Sequence, residues 1–152
     1  INRLFDAGLI VSSSAGCILT AKGITIWQQI EKIFPCRVNL LPTDLIPCKY
    51  NYAFLVKGYA DRVGSGIIQR DKAVFAGAEY AVILIYKNGC FCINCICEDI
   101  NDMFPDATNK LFEYLTPTNG DVVIIAGAKN IMTAMYGAFA ASWSLINDEV
   151  KI

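Results

Sequence analysis

The chain has 152 residues, of which 55% are hydrophobic and 18% are charged, and it contains no histidine. The absence of histidine excludes Ser-His-Asp and Cys-His catalysis, imidazole proton shuttles and histidine-anchored metal sites within this sequence. The net charge of −1 excludes a surface that is basic throughout, while a local basic patch remains compatible with it. A chain of this length fits one domain, or one domain with a small appendage, and can bury a core of its own.

The seven cysteines point to a reducing compartment. No charged and apolar leader opens the sequence, so we expect free thiols and a cytoplasmic location rather than a disulfide framework. The first residue is Ile1 rather than methionine, and we expect the natural chain to begin further upstream.

The first 34 residues predict the order helix end, hairpin, helix. Gly8 stands where a short first helix would stop, and a small polar cluster at residues 12–16 separates two apolar stretches that would pair as strands. Thr20 is placed to cap a second helix, whose apolar residues recur every three or four positions until Pro35 ends it.

The phrases DAGLI at residues 6–10 and LTAKG at residues 19–23 resemble the second half of a winged-helix domain. The resemblance implies that the sequence starts inside the recognition helix, with most base-contacting residues upstream of Ile1, and that the wing and the helix at residues 20–34 support DNA contact. Residues 1–37 carry four basic and two acidic side chains, which agrees with this, although a wing can also serve protein contacts. The candidate DNA-binding residues are Asn2, Arg3, Ser12, Ser13, Ser14 and Lys22.

Beyond this partial winged helix we predict a linker over residues 38–50 and a small α/β sandwich domain over residues 51–152, so the fold class is α+β or α/β. A short buried strand, a helix, a hairpin through Asn88-Gly89, a second helix, a second buried strand and a long helix follow in order. The first buried strand is predicted at 53–56 and its helix at 66–76. The hairpin strands are predicted at 80–86 and 90–96, and the second helix begins at Pro105. The second buried strand is predicted at 122–126 and the long helix at 129–146.

Two loops follow the two buried strands, and each enters a helix. If the strands are parallel, both loops lie at one edge of the sheet, where helix N-termini favour anions. This predicts a site for a small anionic molecule. Its candidate residues are Lys57, Arg62, Gly64, Gly66, Arg70, Gly127 and Lys129. The other interpretation is a glycine loop followed by a solvated, charged helix face.

The tract Cys90, Cys92, Cys95 and Cys97 has enough thiols for a zinc ion or an iron–sulfur cluster. In an extended strand the first two cysteines face one side and the last two the other, so convergence needs a bend near Asn94. We favour small buried side chains over a metal site, and we predict no cofactor.

Residues 130–147 carry no charge. Their length falls just short of a bilayer core, and polar residues interrupt them. A helix buried against the sheet accounts for the same pattern, with the small residues Ala134, Gly137, Ala138 and Ala141 on its close-packed side. We therefore predict no membrane insertion.

The segments RDKAVFAGAEYAVILIYKNG at 70–89 and GDVVIIAGAKNIMTAMYGAFAASWSL at 120–145 resemble two-domain archaeal proteins of largely unknown function that are described as transcription regulators. The resemblance implies a ligand-responsive regulator that binds DNA and a small effector. Such regulators usually act as homodimers. The alternative is an α/β enzyme acting on a phosphorylated metabolite or nucleotide through Asp61, Arg62 and Asp71. We regard the enzyme as the weaker hypothesis.

Overall fold

The computed structural model describes residues 1–146, which divide into two compact units. The first unit is Ile1–Ile33, and the second begins at Phe34. Mixed helices and antiparallel strands confirm the predicted α+β class. Residues 147–152 of the predicted second domain lie outside the described residues.

The first unit contains a short helix, a hairpin and a longer helix, in the predicted order. These are α1 (Asn2–Asp6), β1 (Ile10–Ser13), β2 (Gly16–Leu19) and α2 (Ala21–Ile33). Thr20 caps α2 as predicted, because its Oγ1 accepts a hydrogen bond from the Gly23 N–H at 3.0 Å. The α2 helix ends two residues before Pro35, which cannot donate to the helix ladder.

The second unit is built on one five-stranded sheet. Its strands are β3 (Cys36–Leu40), β4 (Tyr50–Val56), β5 (Tyr80–Lys87), β6 (Cys90–Cys92) and β7 (Val122–Ala128). They lie in the order β3-β4-β7-β5-β6, and each neighbouring pair is antiparallel. The helices are α3 (Ile67–Phe75), α4 (Pro105–Tyr114) and α5 (Ile131–Ile146).

The central strand β7 has all seven residues buried, because helices cover both faces of the sheet. One face carries α3 and α5, and the small residues Ala134, Gly137, Ala138 and Ala141 of α5 are buried as predicted. The other face packs against α4 through Leu111 and Leu115. The apolar strand β7 and the helix α5, which carries no charge, are therefore core elements.

Two predictions about this region need correction. The predicted linker at 38–50 contains the end of strand β3, which pairs with β4 from Cys36↔Leu55 to Leu40↔Asn51. The residues of this short edge strand alternate between half-buried and exposed, so its sequence resembles that of an irregular segment. The return strand predicted over 90–96 ends at Cys92, because the chain turns back on itself to form a bridge between Ile93 and Cys97.

The prediction that β4 and β7 end at the same edge of the sheet is wrong. The two strands are antiparallel, with Tyr50 opposite Ala128 and Val56 opposite Val122. The loop after β4 and the loop after β7 therefore lie at opposite ends of these neighbouring strands. An apolar run of buried residues reads the same in either strand direction, so the sequence pattern does not reveal this.

Candidate functional site

An open cleft of about 1150 Å³ lies at the edge of the sheet where β4 and β5 end and β7 begins. Its walls come from the loop after β4, the end of β5, the β5–β6 turn and residues 90–99. We call it the cysteine cleft, because four of its lining residues are Cys90, Cys92, Cys95 and Cys97. A volume of this size admits a small metabolite.

The β5–β6 hairpin forms one wall of the cleft. Asn88 and Gly89 turn the chain with φ values of 54° and 88°, the left-handed conformation that a two-residue hairpin turn requires. Phe91 is fully buried and anchors β6, while its neighbours Cys90 and Cys92 point to the other face and are half-buried. The period-two alternation of the strand thus places two thiols side by side along the cleft.

A tight turn after β6 brings the second pair of cysteines back to the cleft. The Ile93 N–H donates to the Cys97 carbonyl, and the Cys97 N–H donates to the Ile93 carbonyl, both at 2.9 Å. Cys95 has a φ of 63° at the apex. Asn94 joins the turn to the loop after β4 by donating to the Gly64 carbonyl at 2.6 Å. The bend near Asn94 that the sequence analysis required is present.

The thiols of β6 are held in the protonated state. Burial, followed by the charge of Asp99 and a hydrogen bond to it, raises the pKa of Cys90. Burial and the neighbouring Cys90 thiol raise the pKa of Cys92, outweighing the opposing effect of Lys87. Cys92 donates to the Ile85 carbonyl at 3.3 Å, and Cys97 donates to the Asp99 carbonyl at 3.0 Å. The raised pKa values of Cys90 and Cys92 make these two thiols less reactive than an ordinary thiol.

Metal binding by the four cysteines is not favoured by their arrangement. Among residues 1–146, no three or more cysteine, aspartate or glutamate side chains are grouped so that they can hold a metal ion. The tract CFCINCIC therefore lines a cleft without forming a ligand set in this part of the chain.

The charged groups of the cleft are mainly acidic. Asp61, Glu98 and Asp99 line it, with Lys87 as the single lining cation among the described residues. This differs from the anion site that the sequence predicted. The cleft favours a neutral or cationic molecule with hydrogen-bonding groups, since a carboxylate or phosphate would face three like charges.

Beside the cleft, next to the lining residue Gly120, lies the buried carboxylate of Asp121, which is 2% exposed. Lys57 Nζ lies 2.6 Å from Asp121 Oδ2, and the backbone N–H groups of Gly58 and Thr118 donate to the carboxylate at 3.0 and 2.6 Å. Burial alone would raise the pKa of Asp121, but the Lys57 ammonium and these donors outweigh it and lower the pKa below its ordinary value. The cluster ties the end of β4 to the turn before β7.

The structure separates the predicted ligand-binding residues. Gly64 lines the cleft, whereas Lys57 is engaged by Asp121 and Arg62 donates to the Leu145 carbonyl at 3.3 Å. Gly66 precedes α3 with a φ of 76°. Arg70 pairs with its neighbour Asp71 at 2.9 Å.

Gly127 and Lys129 lie at the opposite edge of the sheet. A side chain at Gly127 would collide with Asn51 and Cys48, so this glycine serves close packing. Lys129 is largely exposed and lies 3.5 Å from Glu79. Neither residue can join Gly64 in one site, because the full length of β7 lies between the two ends of the sheet.

The candidate DNA-binding residues all belong to the first unit and are exposed. Asn2 and Arg3 are on α1, Ser12 and Ser13 are on β1, Ser14 is in the hairpin turn and Lys22 is on α2. Ser13 Oγ donates to the Gly16 carbonyl at 2.9 Å and shapes the tip. Lys22 Nζ donates to the Ala7 carbonyl at 3.0 Å, which joins α2 to the end of α1.

Sequence reasoning missed the residues that build the cleft. Asp121, Asn94 and Asp99 make their contacts with residues far along the chain or in irregular turns. The signal for Asp121 was its place after the turn Thr118-Asn119-Gly120, directly before a fully apolar strand. A carboxylate at the start of a buried strand needs a partner, and Lys57 follows the other buried strand.

The fold and the cleft together define a two-unit α+β protein with an open, thiol-lined cleft at one edge of an antiparallel sheet. The chain belongs to the family defined by DUF4443, a domain of unknown function, whose model matches residues 46–145. The structure is similar to that of hypothetical protein PH0730 from Pyrococcus horikoshii OT3, with a TM-score of 0.77 and 24% identity. The match covers 99% of this chain and 76% of that chain. It shows the fold, and it agrees with the expected resemblance to archaeal proteins of unknown function.

No curated protein matches the chain. Within residues 1–146, no helix combines the length and the apolar character that crossing a bilayer requires.

Proposed function

We propose that the chain is a ligand-responsive transcription regulator, in which the first unit binds DNA and the cysteine cleft receives a small effector. The observation that carries this proposal is the α1, β1–β2, α2 arrangement with its exposed polar and basic side chains. This order of elements is that of a recognition helix, a wing and a closing helix.

Hydrogen bonds at the base of the hairpin support a wing of fixed direction. Thr20 Oγ1 donates to the Gly8 carbonyl at 2.7 Å, and the Thr20 N–H donates to the Leu9 carbonyl at 2.9 Å. Four paired positions from Ile10↔Leu19 to Ser13↔Gly16 extend the hairpin from this junction. Its tip presents serine hydroxyls, which are suited to phosphate oxygens.

The effector that we propose is a neutral or cationic small molecule with hydrogen-bonding groups, since three carboxylates and one lysine line the cleft. As a regulator the protein would act as a homodimer that offers two DNA-binding units to two half-sites. The enzyme alternative gains no specific support: Asp61 lines the cleft, but Asp71 is paired with Arg70 on α3.

Fluorescence anisotropy of the chain with a labelled DNA duplex tests the proposal. We expect an affinity that falls steeply with salt, because neutralised phosphates release counterions. The variant S12E/S14E adds negative charge at the wing tip and should weaken binding at least about tenfold at low salt. Lys129→Ala, which removes an exposed charge at the far edge of the sheet, is the matched control and should leave the affinity within about twofold.

The proposal fails if no binding is detected at low salt, or if S12E/S14E binds as well as the control variant.

A further inference from the structure

Helix α3 exposes an apolar face to solvent. Ile67 and Val74 are each 50% exposed, Ile68 is 66% exposed and Phe75 is 97% exposed. The residues that α3 buries are Gln69 and Ala73. Four large exposed apolar side chains on one face of a short helix are typical of an interaction surface.

The patch is centred on a charge. At about 100° per residue, Asp71 lies in the middle of the exposed arc, and the four apolar residues lie within about 60° on either side of it. Arg70 and Lys72 flank the arc at about 100°. The buried residues Gln69 and Ala73 lie on the opposite side, as the exposures require.

The order of side chains along α3 is the same in both directions. From Asp71 towards either end of α3, the sequence contains a cation, then a buried residue and then two large apolar residues. A two-fold symmetric interface is formed by one patch that is complementary to itself, and α3 offers the same order of side chains to an antiparallel copy.

We propose that α3 pairs with α3 of a second copy of this chain, antiparallel and about a two-fold axis beside Asp71. In this arrangement Ile67 lies next to the partner's Val74, and Ile68 lies next to the partner's Phe75. The two-fold axis generates each of these contacts twice, so all eight apolar side chains of the pair are shielded from solvent.

The charges in the middle of α3 are complementary in the same arrangement. Asp71 pairs with Arg70 of its own helix at 2.9 Å. When two helices meet, the two Asp71 carboxylates face each other at the axis, and two arginines on one flank of the helix pair and two lysines on the other offset their repulsion. A hydrophobic partner of another kind would not require a carboxylate at the centre with cations on both sides.

The covered area sets the expected strength of the dimer. The apolar residues of two copies would bury on the order of 1,000 Å², the low end of specific interfaces. We therefore expect a reversible dimer with a dissociation constant of about 1–100 µM. This inference stands without the proposed function, because a chain that never contacts DNA can still pair through α3.

Sedimentation equilibrium of the chain without DNA tests the pairing. Phe75→Asp should weaken the dimer at least about 30-fold, since the residue acts twice in one interface. Leu41→Asp is the matched control, because Leu41 is 65% exposed and lies outside both α3 and the cysteine cleft, and it should sediment like the wild type. Unchanged thermal unfolding of Phe75→Asp would show that the monomer is intact.

A charge exchange tests the symmetry. Asp71→Lys gives three cations in a row and R70E/K72E gives three anions, so each variant alone should be monomeric. An equimolar mixture should form a heterodimer. The proposal is overturned if the wild type is monomeric at millimolar concentration or if Phe75→Asp still forms the dimer. It is also overturned if the mixture of charge variants stays monomeric, which would favour a different occupant of the α3 face.

Discussion

Asp121 is a buried charge whose ionised form is stabilised by contacts from one distant segment, Lys57-Gly58, and from Thr118 in the preceding turn. Replacing it by asparagine removes the negative charge and leaves Lys57 without its partner. We expect Asp121→Asn to lower the free energy of unfolding by about 2–4 kcal/mol, measured by urea denaturation at pH 7. Asp106→Asn, which breaks the exposed pair with Lys110, should cost less than about 0.5 kcal/mol.

The same carboxylate makes stability depend on pH in a defined direction. The pKa of Asp121 is lower in the folded state than in the unfolded chain. Its stabilising effect is therefore complete above the unfolded-state value of about 4 and is lost as the pH falls through the folded-state pKa. The difference in unfolding free energy between wild type and Asp121→Asn should shrink as the pH falls below about 4. A difference that stays constant as the protein is acidified further would contradict the assignment.

The thiols of β6 should react slowly. Because the pKa values of Cys90 and Cys92 are raised, alkylation by iodoacetamide at pH 8 should be slower at both residues than in a model thiol, and should accelerate as the pH rises. Asp99→Asn should speed alkylation of Cys90 about threefold, since the carboxylate then no longer disfavours the thiolate. Peptide mapping by mass spectrometry resolves the sites, and equal rates in both proteins would refute the role of Asp99.

Residue-level prediction from the sequence succeeded where the contact is local. The cap at Thr20 and the turn at Asn88-Gly89 depend on neighbours within a few positions, and both are present. Lys57 was predicted to bind an external anion, but it meets an internal one, Asp121, 64 positions away. A single sequence does not specify such distant pairs.

Elements of the second unit pack at distances that only glycine permits. A Cβ at Gly137 of α5 would lie 2.8 Å from the Ala78 Cβ and 3.3 Å from the Ala73 carbonyl oxygen. Alanine is the better helix former by about 1 kcal/mol, but this overlap forces α5 away from α3. We expect Gly137→Ala to destabilise the protein by about 1–3 kcal/mol in thermal or urea unfolding.

Tyr136→Ala is the control for this variant, because Tyr136 is a neighbouring exposed position on α5. It should change stability by less than about 0.5 kcal/mol. A stabilised Gly137→Ala variant would show that helix propensity outweighs the close approach.

The types of the helices and of most strands followed from periodicity and turn chemistry, but their spatial arrangement did not. Strand β3 is short and half-exposed, so its pattern resembles a loop. The direction of β7 relative to β4 depends on which edges meet after folding, and the composition of a buried strand is independent of direction. The predicted ligand site was divided for this reason, while the cleft arose from turns that have no regular period.

At the scale of the whole molecule, the two proposals together predict how DNA affinity depends on salt. If two copies joined through α3 place two DNA-binding units on one duplex, Phe75→Asp should roughly halve the slope of log affinity against log salt. Its affinity at low salt should fall about 10- to 100-fold, because the second contact is no longer intramolecular. Anisotropy titrations at four salt concentrations measure both quantities, with Leu41→Asp as the control. An unchanged slope would show that the α3 pair plays no part in DNA binding.

The position of β7 also constrains the order in which the polypeptide can fold during synthesis. β7 is the last strand of the described residues and lies between β4 and β5, which share no hydrogen bonds with each other. Until a ribosome has released residues 122–128, β4 and β5 each keep an open edge with strongly apolar side chains. We therefore expect the nascent chain to expose aggregation-prone strand edges until β7 is synthesised, and a chaperone that shields these edges to raise the yield of folded protein.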